Sequence, residues 1–365
     1  MHQTVTSNRR AIVAGLCALT GAAPLSPNGS RAQSTTTQRT SVTSPELGRS
    51  LTRSKRLKPG DVIGLIAPSG ATYEADDRAL VDETIKALGY VPKHGKHTMD
   101  RFGYLAGNDM DRAADVNAMF ADREVKALLA IRGGWGAARM LRHLDYDSIA
   151  ANPKPVMGFS DVTGLHLALQ ARARLISFHG TNAASGWGQA SVASFNGLLV
   201  NAETPTWRNP VANEDRLVQR RWRTVTIKGG LARGRLIGGN LTVLSALVGT
   251  PYMPDMRGAI LLLEDTNEAE YRIDRMLTHL ALAGILGNIA GFIFGQCTEC
   301  TAPASGYGNF ALSELMQQHI APLGIPAFHG AYFGHIANQP FIPMGAQAEL
   351  NADAGTFRIL EPAVI

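Results

Sequence analysis

Short apolar runs alternate with helix-like stretches through the first half of this chain, and that alternation constrains the fold more than any other feature. Asp61-Val-Ile-Gly-Leu-Ile-Ala-Pro-Ser69 reads as a buried strand stopped by Pro and Gly. Residues 74–88 carry a helical period and stop at Gly89, and residues 109–120 form a second helix. Val125-Lys-Ala-Leu-Leu-Ala-Ile131 is a strand that ends at Arg132-Gly-Gly-Trp-Gly136, with a helix from Ala137. A strand at 155–159, a helix at 162–170 and a strand at 175–178 continue the rhythm. Strands separated by helices pair in parallel, so the expectation is an α/β fold with a doubly wound parallel sheet. Ligands in such sheets bind beyond the C-terminal strand ends. Gly133-Gly-Trp-Gly136 and Ser160 both fall at such ends.

Pro155-Val-Met-Gly-Phe-Ser-Asp-Val-Thr163 places Ser160 on a sharp strand-to-helix turn. A hydroxyl there is exposed and lies beside the free N–H groups and partial positive charge of a helix N-terminus. These are the local needs of a nucleophile elbow, although Gly-x-Ser-Asp departs from Gly-x-Ser-x-Gly. Ser160 or Asp161 serving only as a helix cap fits the same stretch.

The second half begins after an irregular stretch, 202–230, which holds Pro205, Pro210 and the basic residues Arg220, Arg221 and Arg223. It reads as an interdomain connection with a solvated basic face. A helix at 241–247, a buried strand at 258–263, a helix at 271–283, a strand at 289–295 and a helix at 312–320 follow. The expected division is an N-terminal nucleophile domain at 57–205, a linker at 206–230 and a smaller C-terminal α/β domain at 231–365.

Residues 1–34 read as a targeting segment. Asn8-Arg-Arg-Ala-Ile-Val13 precedes an apolar run too short to span a bilayer, and Ser30-Arg-Ala32 offers a small-residue cleavage site. The twin arginines point to the Tat export route and a periplasmic or otherwise exported protein. A Sec signal or an untargeted tail has similar composition. Residues 35–56, rich in Ser and Thr in their first part, are expected to form a flexible linker. The net charge of +5 counts Arg9, Arg10 and Arg31; without them 32 basic residues face 30 acidic ones. That balance gives no nucleic-acid footprint.

Other chemistries lack their residue sets. Leu261-Leu-Leu-Glu-Asp265 looks like a Walker B strand, but no Gly-x-x-x-x-Gly-Lys-Ser/Thr accompanies it. Gly134-x-Gly136 lacks the third glycine of a dinucleotide fingerprint. No His-Glu-x-x-His occurs, so neither a metal nor another cofactor is expected. Cys297-Thr-Glu-Cys300 fits a local disulfide or two ordinary thiols. Ser160, Glu264 and His335 each sit where a loop leaves a buried element. A serine nucleophile needs a base, and the base needs an orienting carboxylate. The chain has ten histidines, so spacing does not select His335.

The set Ile131-Arg-Gly-Gly-Trp-Gly136, Gly158-Phe-Ser-Asp-Val-Thr163, Gly238-Gly-Asn-Leu241, Leu263-Glu-Asp265, Tyr271-Arg-Ile-Asp-Arg-Met-Leu277 and Gly334-His335 resembles the LD-carboxypeptidase family, serine peptidases of the S66 type. The likeness runs from about Leu57 to the C-terminus. It implies Ser160 as nucleophile, Glu264 as orienting carboxylate and His335 as general base. It further implies an oxyanion hole from the N–H groups of Gly134 and Asp161, with Trp135 and Asn240 contacting substrate. The family's glycine loop more often has Tyr at the position of Trp135, which bears on the substrate wall. A homodimer, no metal and a murein peptide substrate are implied as well. The activity implied is release of terminal D-Ala from a murein tetrapeptide at an L,D bond. Two alternatives remain at this point: an immunity peptidase that cleaves peptide–nucleotide antibiotic conjugates, and a cell-wall peptide-binding protein with an inactive site.

Overall fold

A computed structural model describes residues 51–211, 214–215, 217–301 and 308–365. The expected signal peptide at 1–34 lies outside the described residues, as does most of the linker that follows it.

The strands are β1 (Val62–Ile66), β2 (Val91–His94), β3 (Val125–Ala130), β4 (Val156–Gly158), β5 (Ser177–His179), β6 (Thr206–Trp207), β7 (Val225–Lys228), β8 (Leu231–Asn240), β9 (Ile260–Thr266), β10 (Gly291–Thr298), β11 (Ala327–His329), β12 (Ile342–Met344), β13 (Gln347–Asn351) and β14 (Thr356–Ile359). The helices are α1 (Ala75–Ala87), α2 (Asp109–Ala121), α3 (Ala137–Met140), α4 (Tyr146–Ala151), α5 (Thr163–Ala168), α6 (Gln189–Phe195), α7 (Leu241–Ala246), α8 (Glu270–Leu282) and α9 (Leu312–His319).

The first sheet has six strands in the order β12-β5-β4-β3-β1-β2. Its pairings from β2 to β5 are parallel, and β12 closes it antiparallel to β5. The second sheet has eight strands in the order β6-β14-β13-β8-β9-β10-β11-β7. Its centre, β8 to β11, is parallel, and antiparallel strands flank it on both sides. The expected parallel α/β architecture is therefore present, with a second mixed sheet.

The burial of these strands follows from alternation. Successive side chains point to opposite faces of a strand. In β3, Ala127 and Leu129 enter one hydrophobic core, while Leu128 and Ala130 enter another. In β9, Ile260 and Leu262 join the first core, and Leu261 and Leu263 join the second. Each core thus runs through both sheets. Truncating a fully buried leucine such as Leu129 or Leu262 to Ala is worth roughly 2–5 kcal/mol of stability.

Three boundaries differ from the sequence expectation. The linker assigned to 206–230 contains β6 and β7, both strands of the second sheet. Trp207 anchors β6 by stacking on Phe357 at a centroid distance of 5.0 Å. The end of the segment expected to be flexible is packed: Leu51 and Ser54 are buried, and Thr52 and Ser54 bridge to Leu175 and Val364. Finally, β12 returns from the C-terminal half to the first sheet, so the two halves are joined by backbone pairing.

The first sheet's 2-1-3-4-5 strand order reverses between β1 and β3, the switch point where such folds bind ligands. The loops leaving these strands are bound together there. Gly70 N–H donates to the Gly133 carbonyl at 3.1 Å. The buried Arg112 of α2 donates to the carbonyls of Pro68 and, at 2.9 Å, Gly136. Arg112 is held in turn by Asp109 at 2.6 Å.

Candidate active site

β4 ends at Gly158, and the chain turns at once into a short 3-10 segment, Ser160–Val162, that leads into α5. Ser160 occupies the turn at φ 65°, a left-handed conformation that costs a side-chain-bearing residue on the order of 1–2 kcal/mol. Surrounding contacts hold it there. Asn182 Oδ1 accepts the Phe159 N–H at 3.1 Å, and Asp161 Oδ2 accepts the Ala137 N–H at 2.7 Å. The second bond ties the serine turn to the helix that follows the glycine loop. Burial pushes the Asp161 carboxyl above its ordinary value, against the pull of the Ala137 hydrogen bond and of the nearby Arg112 cation.

Gly133 is required by close approach. A Cβ at this position would lie 2.8 Å from Ser160 Cβ and 3.0 Å from its Oγ. Gly134 and Asp161, the expected oxyanion-hole residues, both line a cavity of about 290 Å³ that also contacts Ser160.

Ser160, Glu264 and His335 come together as the resemblance implies. His335 Nε2 lies 2.9 Å from Ser160 Oγ, and His335 Nδ1 lies 2.7 Å from Glu264 Oε2. Glu264, in β9, has no solvent exposure, and an ionised carboxylate only accepts. Nδ1 therefore carries the proton donated to Glu264, and Nε2 accepts from the serine hydroxyl. Burial alone lowers the His335 pKa, but the hydrogen bond and charge of Glu264, helped by Asp265, hold it above the usual imidazole value.

The histidine loop is shaped by its neighbours. Gly334 adopts φ 117°, and a Cβ there would sit 2.9 Å from Glu264 Oε2. Thr298, at the end of β10, donates its hydroxyl to the His335 carbonyl at 2.8 Å. Phe159 lies against the imidazole with ring centroids 4.9 Å apart. Cys297, next to Thr298, forms a disulfide with Cys300, which selects between the two sequence alternatives.

Asn240 and Trp135 line the same cavity as Gly134 and Asp161, but they differ in freedom. Trp135 is exposed and meets Tyr104 edge-on, so its ring is available to a ligand. Asn240 is buried and its side chain is engaged at both ends. Its Oδ1 caps α7 by accepting from Val243 N–H at 3.0 Å, and its Nδ2 donates to Asp265 Oδ1 at 2.9 Å. Its first service is to position Asp265. Thr242 and Thr266 also donate to Asp265, whose pKa is nevertheless pushed up to about 6 by burial and by the charge of Glu264.

Sequence reasoning did not assign roles to Asn182, Thr298 or Asp265. Asp265 is adjacent to Glu264 in a motif already noted, and that adjacency was the available signal. Asn182 and Thr298 act through tertiary contacts with no local pattern. Among the described residues, His97, Asp100 and Asp111 form the one cluster with metal-ligand spacing. Both ring nitrogens of His97 face those carboxylates, and the cluster is remote in sequence from every site residue.

Comparison with known proteins gives the family. Residues 63–180 match the LD-carboxypeptidase N-terminal domain, and residues 233–350 match the LD-carboxypeptidase C-terminal domain. A Bacillus subtilis protein named "Probable murein peptide carboxypeptidase" is 35% identical over 303 residues, covering 81% of this chain and 91% of that one. The crystal structure of muramoyltetrapeptide carboxypeptidase from Oxalobacter formigenes is 27% identical with a TM-score of 0.69, covering 82% of this chain and 97% of that one. The structure of the Escherichia coli microcin C7 self-immunity protein MccF is 25% identical with a TM-score of 0.76, covering 86% of this chain and 100% of that one. This chain belongs to the LD-carboxypeptidase family.

Proposed function

We propose that this protein is a serine carboxypeptidase that cuts the L,D peptide bond before the terminal D-Ala of murein tetrapeptides. The observation that carries the reading is the unbroken line Ser160 Oγ–His335–Glu264, with contacts of 2.9 and 2.7 Å. In this reading His335 takes the Ser160 proton as the hydroxyl attacks the carbonyl carbon. The N–H groups of Gly134 and Asp161 receive the developing oxyanion. His335 then gives its proton to the leaving D-Ala amine, and water releases the acyl group from Ser160 by the same path in reverse. Glu264 keeps the imidazole in the required tautomer and stabilises its charged form.

The substrate class rests on relatives named for murein peptides and muramoyltetrapeptides. The fold shared with a microcin self-immunity protein motivates a second substrate, a peptide–nucleotide conjugate. The connected triad gives no support to an inactive binding protein. A homodimer and export by the twin-arginine route complete the proposal; the second rests on Arg9-Arg10 ahead of the short apolar run.

The test offers purified protein three substrates: a murein tetrapeptide ending in D-Ala, its diastereomer ending in L-Ala, and an aminoacyl sulfamoyl adenosine. Mass spectrometry is expected to show D-Ala released from the first alone. Cleavage confined to the nucleotide conjugate would replace this reading with the immunity one.

A further inference from the structure

Three cavities meet around the triad, and their linings differ in a way that fixes where the leaving group sits. The cavity of Trp135 and Asn240 touches Ser160 without His335. A second, lined by Trp222 and Tyr332, touches His335 without Ser160. A third, of about 340 Å³, touches both. A leaving amine must lie within reach of the serine-bound carbon and of the protonated imidazole at once. Only the third cavity meets both conditions, so it receives the residue that departs.

The residue that leaves a carboxypeptidase carries a free carboxylate. Arg132 is the sole lysine or arginine lining that cavity, and an arginine is cationic at any working pH. It stands two residues past the end of β3 and precedes Gly133, which abuts Ser160, so its backbone is fixed relative to the nucleophile. Its Nη1 donates to the Ala71 carbonyl at 2.9 Å, and Tyr73 lies under the guanidinium at 6.0 Å. Among the described residues no carboxylate pairs with it, although the arginines of α2 and α3 are both paired with Asp109. A guanidinium has five N–H donors, and most of those on Arg132 remain for a ligand. Asp77 lines the same cavity and would repel an anion there unless a cation offset it. Asn182 and Ser185 add polar groups to the wall.

From this arrangement we infer that Arg132 binds the C-terminal carboxylate of the substrate and thereby restricts the enzyme to chain ends. The inference rests on the proposed carboxypeptidase activity and names the residue that makes it an exopeptidase. A peptide that continues past the scissile bond, or ends in an amide, brings no charge to Arg132 and leaves Asp77 without its counterpart. A charge-assisted hydrogen bond to a carboxylate corresponds to a discrimination of roughly ten- to a hundredfold.

The test compares the tetrapeptide as free acid and as C-terminal carboxamide, using wild type, Arg132→Gln and Arg132→Lys. The quantity read is the ratio of kcat/KM for acid over amide, which is independent of how much of each preparation is folded. The wild-type ratio is expected to exceed about ten, Arg132→Gln to bring it near one, and Arg132→Lys to retain an intermediate value. A wild-type ratio near one overturns the inference while leaving the peptidase reading intact. So does an Arg132→Gln protein that loses activity on both peptides with its ratio preserved, since Arg132 would then only support the loop. A wild-type enzyme that cleaves neither peptide overturns the proposed activity, and the inference falls with it.

Discussion

His335 Nδ1 donates to Glu264 Oε2 across 2.7 Å, and the carboxylate it meets is wholly shielded from water. A charge so placed acts on the imidazole with little screening. It fixes the tautomer, and it raises the affinity of the ring for a proton despite the opposing effect of burial.

That relationship sets a pH dependence. The base must be neutral, so kcat/KM on the free enzyme should rise as pH increases through the His335 pKa, which lies above 6.5. Glu264→Gln removes the hydrogen-bonded charge and should move this acidic limb to lower pH while cutting kcat roughly 10⁴-fold. The same raised pKa makes protonated His335 favour the folded state below about pH 6.5, a contribution lost as pH climbs through its folded value. A limb that stays in place in Glu264→Gln would show that Glu264 does not tune the base.

Gly133→Ala tests the closeness of the glycine loop to the nucleophile. The added methyl would lie 2.8 Å from Ser160 Cβ, so one of the two must move. A displacement approaching 1 Å costs about 10²-fold in rate. The variant should lose activity on that scale while binding the tetrapeptide. Wild-type kcat would mean that the loop yields without disturbing Ser160.

The proposed twin-arginine export is tested at Arg9 and Arg10. Replacing Arg9 and Arg10 together by Lys should leave uncleaved precursor in the cytoplasm. Fractionation with an antibody against the mature protein reads this directly. Normal amounts of mature protein in the periplasm would exclude the twin-arginine route.

Local patterns and tertiary relations were unequally legible in the sequence. The strand–Gly-Phe-Ser–helix passage was readable because every requirement of the turn is local to residues 155–170. Each helix expected with both ends came within a residue or two, since the periods are strong and Gly89 and Gly284 mark two of the ends, whereas the short α4 and α6 were not read at all. His335 was different: it lies 71 residues from Glu264 and 175 from Ser160, and no spacing rule relates positions brought together only by two packed sheets. Family resemblance, not periodicity, singled it out. β6 and β7 were hidden because strands of two and four residues among prolines and arginines look like a linker. The return of β12 to the first sheet was equally silent, because an edge strand of three residues leaves no pattern of its own. An Asn before a helix is also a preferred cap, and Asn240 caps α7 while holding Asp265, a role the sequence expectation did not include.

The central claim is that Ser160, activated by His335, breaks the L,D bond. The most direct measurement is the rate of D-Ala release from a murein tetrapeptide by wild type, Ser160→Ala, His335→Ala and the double variant, each with a thermal melt. Triad residues act as a unit, so each single variant should lose activity by several orders of magnitude, and the double should be about as inactive as either. The melts should stay close to that of wild type, because Ser160 and His335 border a cavity and are not fully buried. A folded Ser160→Ala protein that still releases D-Ala at the wild-type rate would contradict the account.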